Sequence, residues 1–184
     1  NCTPQMLKQF AMMGRIFSKN VLGVENPRVG VLNIGEEAGK GNELAQNTYN
    51  LLEEEKDKFN LMCNVEGREL FLHVCDVVVC DGFVGNVVLK VTEGTSSLLF
   101  KMIKSEFKSD FLGMIIGMLA KPFMRRIYEK INYEEFGGCL LLGVKGITVI
   151  SHGRSKAYAI KNAVRVAKEA VETCVNKKIA ENLA

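Results

Sequence analysis

The apolar positions of this chain follow two periods, one typical of amphipathic helices and one typical of buried strands. Apolar residues recur at steps of three and four from Met6 to Val21, which predicts a first helix that begins at Thr3-Pro4 and ends near Gly23. Short, nearly continuous apolar runs instead predict strands that are buried on both faces. Such runs span residues 28–33, 60–65 and 77–80.

Helical patterns return between and after these runs, so strands and helices alternate along the chain. The further helices are predicted from about Leu44 to Leu52, from Gly85 to about Phe107 and from Ser155 to about Ile179. Apolar runs at 139–142 and 147–150 predict two more strands. This alternation is typical of an α/β fold, and we expect residues 1–184 to form a single domain of that class.

A glycine-rich turn joins a predicted strand to a predicted helix within residues 76–90, D-V-V-V-C-D-G-F-V-G-N-V-V-L-K. In open α/β sheets, ligands bind beyond the carboxyl ends of the strands. Glycines there let the backbone approach a ligand, and the following helix offers free N–H groups to an anion. We therefore expect the turn from Asp81 to Asn86 to contact a ligand. Lys90, about one helical turn further on, either reaches an anion held there or lies in solvent.

A second glycine-rich corner, I-G-E-E-A-G-K-G-N-E, spans residues 34–43. Gly39-Lys40-Gly41 at a helix start could cradle a phosphate with backbone N–H groups and one ammonium. The spacing is not that of a Walker A loop. Glu36 and Glu37 would repel an anion unless they point away or bind protons or hydroxyls. The alternative is a plain strand-to-helix turn that needs positive φ angles, and the residues alone leave both interpretations open.

The composition adds mainly exclusions. The chain is 47% apolar and 24% charged with a net charge of +3, as in an ordinary globular protein. The six cysteines form no CxxC pair and most of them lie in apolar runs, which indicates reduced, buried thiols in a reducing compartment. The two histidines, His73 and His152, are too few for a zinc site. We expect no metal, no cofactor and no nucleic-acid partner.

Residues 104–132 differ from the rest and predict a protruding amphipathic helical hairpin whose helices break at Lys121-Pro122. The run Phe111–Ala120 is almost entirely apolar, yet too short to span a bilayer. Cations outnumber acids around it: Lys101, Lys104, Lys108, Lys121, Arg125, Arg126 and Lys130 against Glu106, Asp110 and Glu129. Such a segment fits an interfacial helix on anionic lipid. A hairpin that packs on a dimer partner would have the same composition.

Three predicted strand-end turns stand out together: N-I-G-E-E-x-G-K-G-N-E, D-G-F-x-G-N-x-x-L-K, and the segment that ends in His152-Gly153. In this combination the chain resembles the PlsX family, the acyl-[acyl carrier protein]:phosphate acyltransferases of bacterial phospholipid synthesis. The resemblance covers essentially the whole chain, which looks like the C-terminal portion of a longer enzyme.

The resemblance implies a three-layer α/β/α sandwich related to phosphate acetyltransferase and to the isopropylmalate dehydrogenase group. It implies transfer of an acyl group from acyl carrier protein to inorganic phosphate, which gives acyl phosphate. It also implies a homodimeric, cytoplasmic enzyme that associates peripherally with the membrane, here through Phe111–Ala120.

Such a reaction needs two anionic partners to be held together and a tetrahedral oxyanion to be stabilised. We expect Asn86, Lys90 and His152 to be catalytic, although His152 is equally well explained as a structural residue at a strand end. Asp81 is expected to organise its turn through backbone N–H groups. The expected substrate-binding residues are Glu36, Lys40, Gly41, Asn42, Asp81, Gly82, Phe83 and Gly85. All these corners are expected to converge on one electropositive pocket.

Three other functions remain open from the sequence. One is a phosphate acetyltransferase-like enzyme that uses coenzyme A. Another is a nicotinamide-dependent decarboxylating dehydrogenase, although the D-x-x-x-D cluster that its metal would need is absent from the predicted strand ends. The third is a non-catalytic fragment that serves membrane docking or dimerisation.

Overall fold

The chain is a mixed α/β protein in which helices flank a parallel sheet. A computed structural model describes residues 2–37, 39–131, 137–153 and 155–183. The helices are α1 (Pro4–Asn20), α2 (Glu43–Glu53), α3 (Lys56–Phe59), α4 (Gly82–Glu106), α5 (Phe111–Ile131), α6 (Ala157–Glu172) and α7 (Val175–Leu183), with a 3-10 turn at Gly67–Glu69. The strands are β1 (Val29–Asn33), β2 (Leu61–Glu66), β3 (Val77–Val79), β4 (Cys139–Leu140) and β5 (Val149–Ile150).

The main sheet has three parallel strands in the order β2-β1-β3. On the middle strand, Val29 lies opposite Leu61 on one side and Val77 on the other. Because the strands are parallel, the residues that follow them all leave at the same edge of the sheet. This geometry puts the loops after β1 and β3 side by side. Strands β4 and β5 form a separate two-stranded sheet.

Two compact units make up the chain: residues 1–85, 140–148 and 167–184 form the first, and residues 86–139 and 149–166 form the second. The first unit holds the three-stranded sheet, with α1 packed on it. Thr3 caps α1 by accepting a hydrogen bond from the Met6 N–H at 3.3 Å, and Pro4 occupies the first turn, as the sequence predicted. The prediction of a single domain stays a prediction.

The core of the first unit lies between the apolar face of α1 and the sheet. Met12 and Met13 are buried there beside Val29 and Val31. Three apolar side chains of α6 and α7, near the end of the sequence, complete this core: Ala170, Val175 and Ile179.

The end of the chain differs from the prediction of one long helix. It forms α6 and α7, with a break at Thr173 and Cys174. Cys174 has a φ of 51°, a left-handed conformation that turns the backbone out of the first helix. The break lets Val175 and Ile179 turn into the core, and periodicity alone does not reveal it, because the apolar stripe continues through both helices.

The second unit contains a pair of long helices, α4 and α5, joined by a turn at residues 107–110. The rings of Phe100 and Tyr128 meet edge to face with centroids 5.5 Å apart. The predicted helix break at Lys121-Pro122 is wrong, since Pro122 lies inside α5. A proline removes one N–H donor and bends a helix without necessarily ending it.

All six cysteines are free thiols, and the expected burial is wrong, since none of the six is fully buried. Cys139 and Cys174 are exposed, while Cys2, Cys63, Cys75 and Cys80 are half-buried. Burial, followed by the neighbouring Cys63 thiol, raises the pKa of Cys75 to about 12. A thiol with so high a pKa is a poor nucleophile near neutral pH.

An ion pair ties the start of β3 to the start of β1. The Asp76 carboxylate accepts hydrogen bonds from the Arg28 backbone N–H at 2.8 Å, from Nε at 3.0 Å and from Nη2 at 3.2 Å. Arg28 Nη2 also donates to the His73 carbonyl at 2.7 Å. The Arg28 side chain is the main cause that lowers the pKa of Asp76.

We predict that Asp76→Asn lowers the melting temperature at pH 7 and that this difference shrinks in acid. A carboxyl whose folded pKa is depressed stabilises the fold above its ordinary pKa of 3.8, and this stability is lost as the pH falls through the folded pKa. Melting temperatures of both proteins between pH 7 and pH 3 test this. Glu172→Gln, which removes an exposed pair with Lys168, is the control and should change little at any pH. A constant Asp76→Asn deficit down to the lowest pH would contradict the assignment.

Candidate functional site at the carboxyl edge of the sheet

A cavity of about 150 Å³ lies at the carboxyl ends of β1 and β3 in the first unit. Its walls are mostly apolar, and three polar side chains join them: Asn33, Asn42 and Asp81. Gly41 also lines it. The cavity is small compared with the pockets that hold drug-sized ligands, so it suits a small group. The structure thus brings together three of the predicted site residues, Gly41, Asn42 and Asp81.

Asp81 follows β3 directly and caps α4. Its Oδ1 accepts hydrogen bonds from the backbone N–H groups of Phe83 at 2.9 Å and Val84 at 3.0 Å. Its carbonyl accepts from the Gly85 N–H at 2.9 Å. The predicted role of Asp81 as the organiser of this turn is thereby confirmed.

These hydrogen bonds make one expectation wrong, namely that the backbone N–H groups at this helix start are free to bind an anion. The N–H groups of Phe83, Val84 and Gly85 already have acceptors, so the arrangement does not offer them to an anion. A carboxylate at the start of α4 also places a negative charge there. Gly82 and Phe83 are exposed, and their predicted contact with substrate stays a prediction.

The β1–α2 loop, residues 34–42, is held from below by three carboxamide side chains. Asn33 Nδ2 donates to the Lys40 carbonyl at 3.0 Å. Gln46 Nε2 donates to the carbonyls of Gly39 at 2.9 Å and Gly41 at 3.0 Å. Asn64 Nδ2 donates to the carbonyls of Glu37 at 3.2 Å and Glu36 at 3.4 Å. Carbonyl oxygens of this loop are therefore drawn toward the protein.

Two glycines of this loop are required by close contacts. Gly41 has a φ of 86°, and a Cβ atom at this position would overlap Asn33 Oδ1. At Gly35 a Cβ atom would lie 2.9 Å from Lys40 Cγ, so the stem of Lys40 runs across Gly35. The absence of a side chain at Gly35 thus sets the path of the lysine, whose side chain is exposed.

Asn42 is the N-cap of α2, since its Oδ1 accepts a hydrogen bond from the Ala45 N–H at 2.9 Å. This contact explains where α2 begins. It also occupies the side-chain oxygen of Asn42, one of the residues predicted to bind phosphate. Glu36 is exposed, and its carboxylate lies 3.9 Å from the Arg68 guanidinium. The acids of the loop therefore point toward solvent rather than into the cavity.

The three residues predicted to be catalytic lie in the second unit. Asn86 and Lys90 are exposed on α4, and Lys90 Nζ donates to Glu93 Oε2 at 2.8 Å. His152 is exposed after β5, and its carbonyl accepts the Ser155 N–H at 2.9 Å. That these three residues share one pocket with Lys40 stays a prediction.

The half-buried Cys80 thiol lines the cavity between Val79 and Asp81. Burial is the main cause that raises its pKa, and the neighbouring Asp81 charge adds to it. Cys80 is therefore a neutral thiol at neutral pH and does not have the properties of an acyl-carrying nucleophile.

Within the ranges that the structure describes, no three His, Cys, Asp or Glu side chains cluster closely enough to hold a metal ion.

Comparison with known proteins gives the family. The family model described as "Fatty acid synthesis protein" matches residues 1–178. The chain belongs to this family.

Relatives named "Phosphate acyltransferase" are similar over nearly the whole chain. The protein from Dictyoglomus thermophilum is 50% identical over 184 residues, which is 100% of this chain and 54% of that protein. The protein from Halothermothrix orenii is 54% identical over 168 residues, 91% of this chain and 50% of its own length. The protein from Aquifex aeolicus is 48% identical over 183 residues, 100% and 54% respectively. The chain thus spans about half the length of these relatives.

Asn33, Gln46 and Asn64 are the residues of this family member that sequence reasoning missed. A weak signal existed, because Asn33 and Asn64 interrupt apolar strand runs where an aliphatic residue is expected. The partners of Asn64 lie 27 and 28 residues away along the chain, so no local pattern identifies Asn64 as a support of the loop. Asn33 and Gln46 bind carbonyls within seven residues, but their residue types alone do not reveal these bonds.

We predict that Gly41→Ala destabilises the protein by about 1–3 kcal/mol, since alanine resists a positive φ and its Cβ would displace Asn33. Gly39→Ala in the same loop is the matched control, because nothing lies within 4 Å of its added Cβ and we expect a change below about 0.5 kcal/mol. Urea unfolding of both variants measures this. Equal stabilities would mean that the Asn33 contact does not hold the loop.

Proposed function

We propose that the chain is part of an enzyme that transfers an acyl group from acyl carrier protein to inorganic phosphate and so makes acyl phosphate. The observation that carries the proposal is the similarity to proteins named "Phosphate acyltransferase" over almost every residue of this chain. The small cavity at the strand edge, bordered by the glycine-rich β1–α2 loop, supports it.

The β1–α2 loop has the properties of a phosphate-binding loop. Three amide side chains hold its carbonyl oxygens toward the protein, which removes their negative ends from the outer surface of the loop. The Lys40 ammonium stands on that surface, and the loop leads directly into the start of α2. We assign phosphate binding to Lys40, Gly41 and Asn42, with Glu36 turned outward to bind protons or hydroxyls.

The chemistry asks little of the protein beyond placement and charge. A phosphate oxygen attacks the thioester carbonyl carbon, the new C–O bond forms, and the C–S bond then breaks to release the carrier thiolate. The developing oxyanion needs donors, for which we propose the Asn86 amide and Lys90. His152 protonates the departing sulfur or binds phosphate. The Lys90–Glu93 pair is exposed, so it can open at little cost.

The finer fold and assembly are part of the proposal. We propose a three-layer α/β/α sandwich of the phosphate acetyltransferase and isopropylmalate dehydrogenase type, formed by one domain and assembled as a homodimer. Exposed apolar residues on one face of α4, among them Val87, Val91 and Leu98, support a second copy as their cover, since contiguous exposed apolar surface marks interaction sites.

We also propose that Phe111–Ala120 at the start of α5 lies on an anionic membrane surface while the rest of the enzyme stays in the cytoplasm. Met118 is 77% exposed and Leu119 is 70% exposed, and the flanking Lys121, Arg125 and Arg126 are cationic. Among the helices described, none is both long and apolar enough to cross a bilayer. Shallow insertion with cations at the headgroups fits this composition.

We predict that Asn86→Ala and Lys90→Ala in the full-length protein each slow acyl phosphate formation at least about tenfold, which is about 1.4 kcal/mol in the barrier. The physical reason is the loss of a donor to the oxyanion. Acyl phosphate is read out by mass after incubation with acyl carrier protein thioester and phosphate.

Lys101→Ala removes an exposed cation from the same helix and should keep the wild-type rate. Wild-type rates for both Asn86→Ala and Lys90→Ala would remove these two residues from the mechanism. The same assay with coenzyme A thioesters decides between a carrier-protein enzyme and a coenzyme A enzyme.

For the membrane contact, we predict that the double variant Met118→Glu/Leu119→Glu binds anionic phospholipid vesicles at least about tenfold more weakly, because two carboxylates cannot enter the interface without cost. Vesicle sedimentation measures this. Val164→Glu is the control, since Val164 is 65% exposed on α6 and lies outside the segment. Unchanged vesicle binding together with a smaller particle in light scattering would assign Phe111–Ala120 to the dimer contact instead.

A further inference from the structure

We propose that Asn64, a buried amide in β2, is a positioning residue that sets the β1–α2 loop so that Lys40 can bind phosphate. The inference rests on the proposed function, because it assigns phosphate to that loop. It goes beyond that function by naming a residue that touches neither substrate and that acts through the backbone of the loop.

Asn64 occupies a buried strand position where an apolar residue is expected. It lies in β2 between Cys63 and Val65, opposite Val31 of the middle strand, and is only 1% exposed. Its Oδ1 is buried and finds no hydrogen-bond partner among the residues described. An unbonded buried oxygen costs stability that an aliphatic side chain of similar size would avoid. The donors of this amide must therefore matter more than its acceptor.

Those donors hold one half of the loop. Asn64 Nδ2 donates to the carbonyls of Glu37 and Glu36, and an amide nitrogen has two hydrogens for two such bonds. The Glu37 carbonyl also accepts the backbone N–H of Lys40 at 3.0 Å. A chain of two hydrogen bonds thus connects the sheet, through Asn64 and the Glu37 carbonyl, to the backbone of Lys40.

The side chain of Lys40 is set by the same half of the loop. Its stem crosses Gly35, and Gly35 and Glu36 are neighbours in the segment that Asn64 anchors. Release of Glu36 and Glu37 would therefore shift both the path of the lysine and the direction of two carboxylates. Asn33 and Gln46 hold the other half, at the carbonyls of Gly39, Lys40 and Gly41, and would remain in place.

Asn64→Asp is the sharpest variant, because it keeps the shape and replaces the two donors by an oxygen that faces two carbonyl oxygens. We expect the KM for phosphate to rise at least about tenfold, since small displacements of a binding group weaken its contacts strongly. The KM for the carrier thioester should stay within about twofold, because Asn64 lies under the phosphate loop only. Asn64→Leu, which keeps the approximate size and removes both donors, should raise the KM for phosphate in the same direction and serves if Asn64→Asp does not fold.

A second measurement needs no turnover. Phosphate bound at Lys40 should protect its ammonium from an amine-modifying reagent, with labelling of Lys40 read out by peptide mass. Half-protection in Asn64→Asp should require at least about tenfold more phosphate than in the wild type. Val65→Ala is the control: it removes buried packing from the same strand and should lower the melting temperature without moving the half-protection concentration.

The outcomes test the positioning role of Asn64 and phosphate binding at the loop separately. Equal phosphate protection in the wild type and in Asn64→Asp overturns the positioning role and leaves the proposed function standing. No protection of Lys40 in the wild type overturns phosphate binding at this loop, and the positioning role with it. A KM for phosphate that rises equally in Val65→Ala would show that Asn64 acts only through general stability.

Discussion

The carboxyl edge of the sheet depends on one constraint: the backbone carbonyls of the β1–α2 loop that face the protein need hydrogen-bond donors, and the loop has no regular structure to supply them. Carboxamide side chains from three elements take that place, namely Asn33 at the end of β1, Asn64 in β2 and Gln46 in α2. Because these elements belong to the packed sheet and its helix, the loop inherits their rigidity.

The neighbouring corner solves the opposite problem. After β3 the unpaired groups are the N–H donors at the start of α4, and Asp81 accepts two of them. In the β1–α2 loop, backbone carbonyls are thus bonded toward the protein. In the turn after β3, backbone N–H groups are bonded to the Asp81 carboxylate. An anion at this edge is expected on the β1–α2 side, where Lys40 stands, and away from Asp81. The small cavity that both corners line is consistent with a site for a single small group.

Local signals in the sequence predicted what local physics determines. The N-cap at Thr3, the three strands of the sheet and the turn at Asp81 each follow from residues within a few positions. The errors have two causes: α5 tolerates Pro122 in its interior, and the last helix breaks at Cys174, which places Val175 and Ile179 of α7 in the core. Asn64 was missed because the carbonyls that it binds, those of Glu36 and Glu37, lie 28 and 27 residues away along the chain. The family motifs gave the corners and include Asn33, but Gln46 and Asn64 lie outside them.

The two units differ in their charge and in how far their helices bury apolar side chains. By sequence the second unit carries twelve Lys and Arg against six Asp and Glu, although the whole chain has a net charge of only +3. The described side chains of α4 and α5 include many exposed apolar residues and no buried one, whereas α1 of the first unit buries most of its apolar face. Helices gain little stability from propensity alone, so an apolar cover would add stability to α4 and α5. A lipid surface on Phe111–Ala120 and a second copy along α4, both proposed above, would supply such a cover at different places. The cations that flank Phe111–Ala120 suit that segment to anionic headgroups.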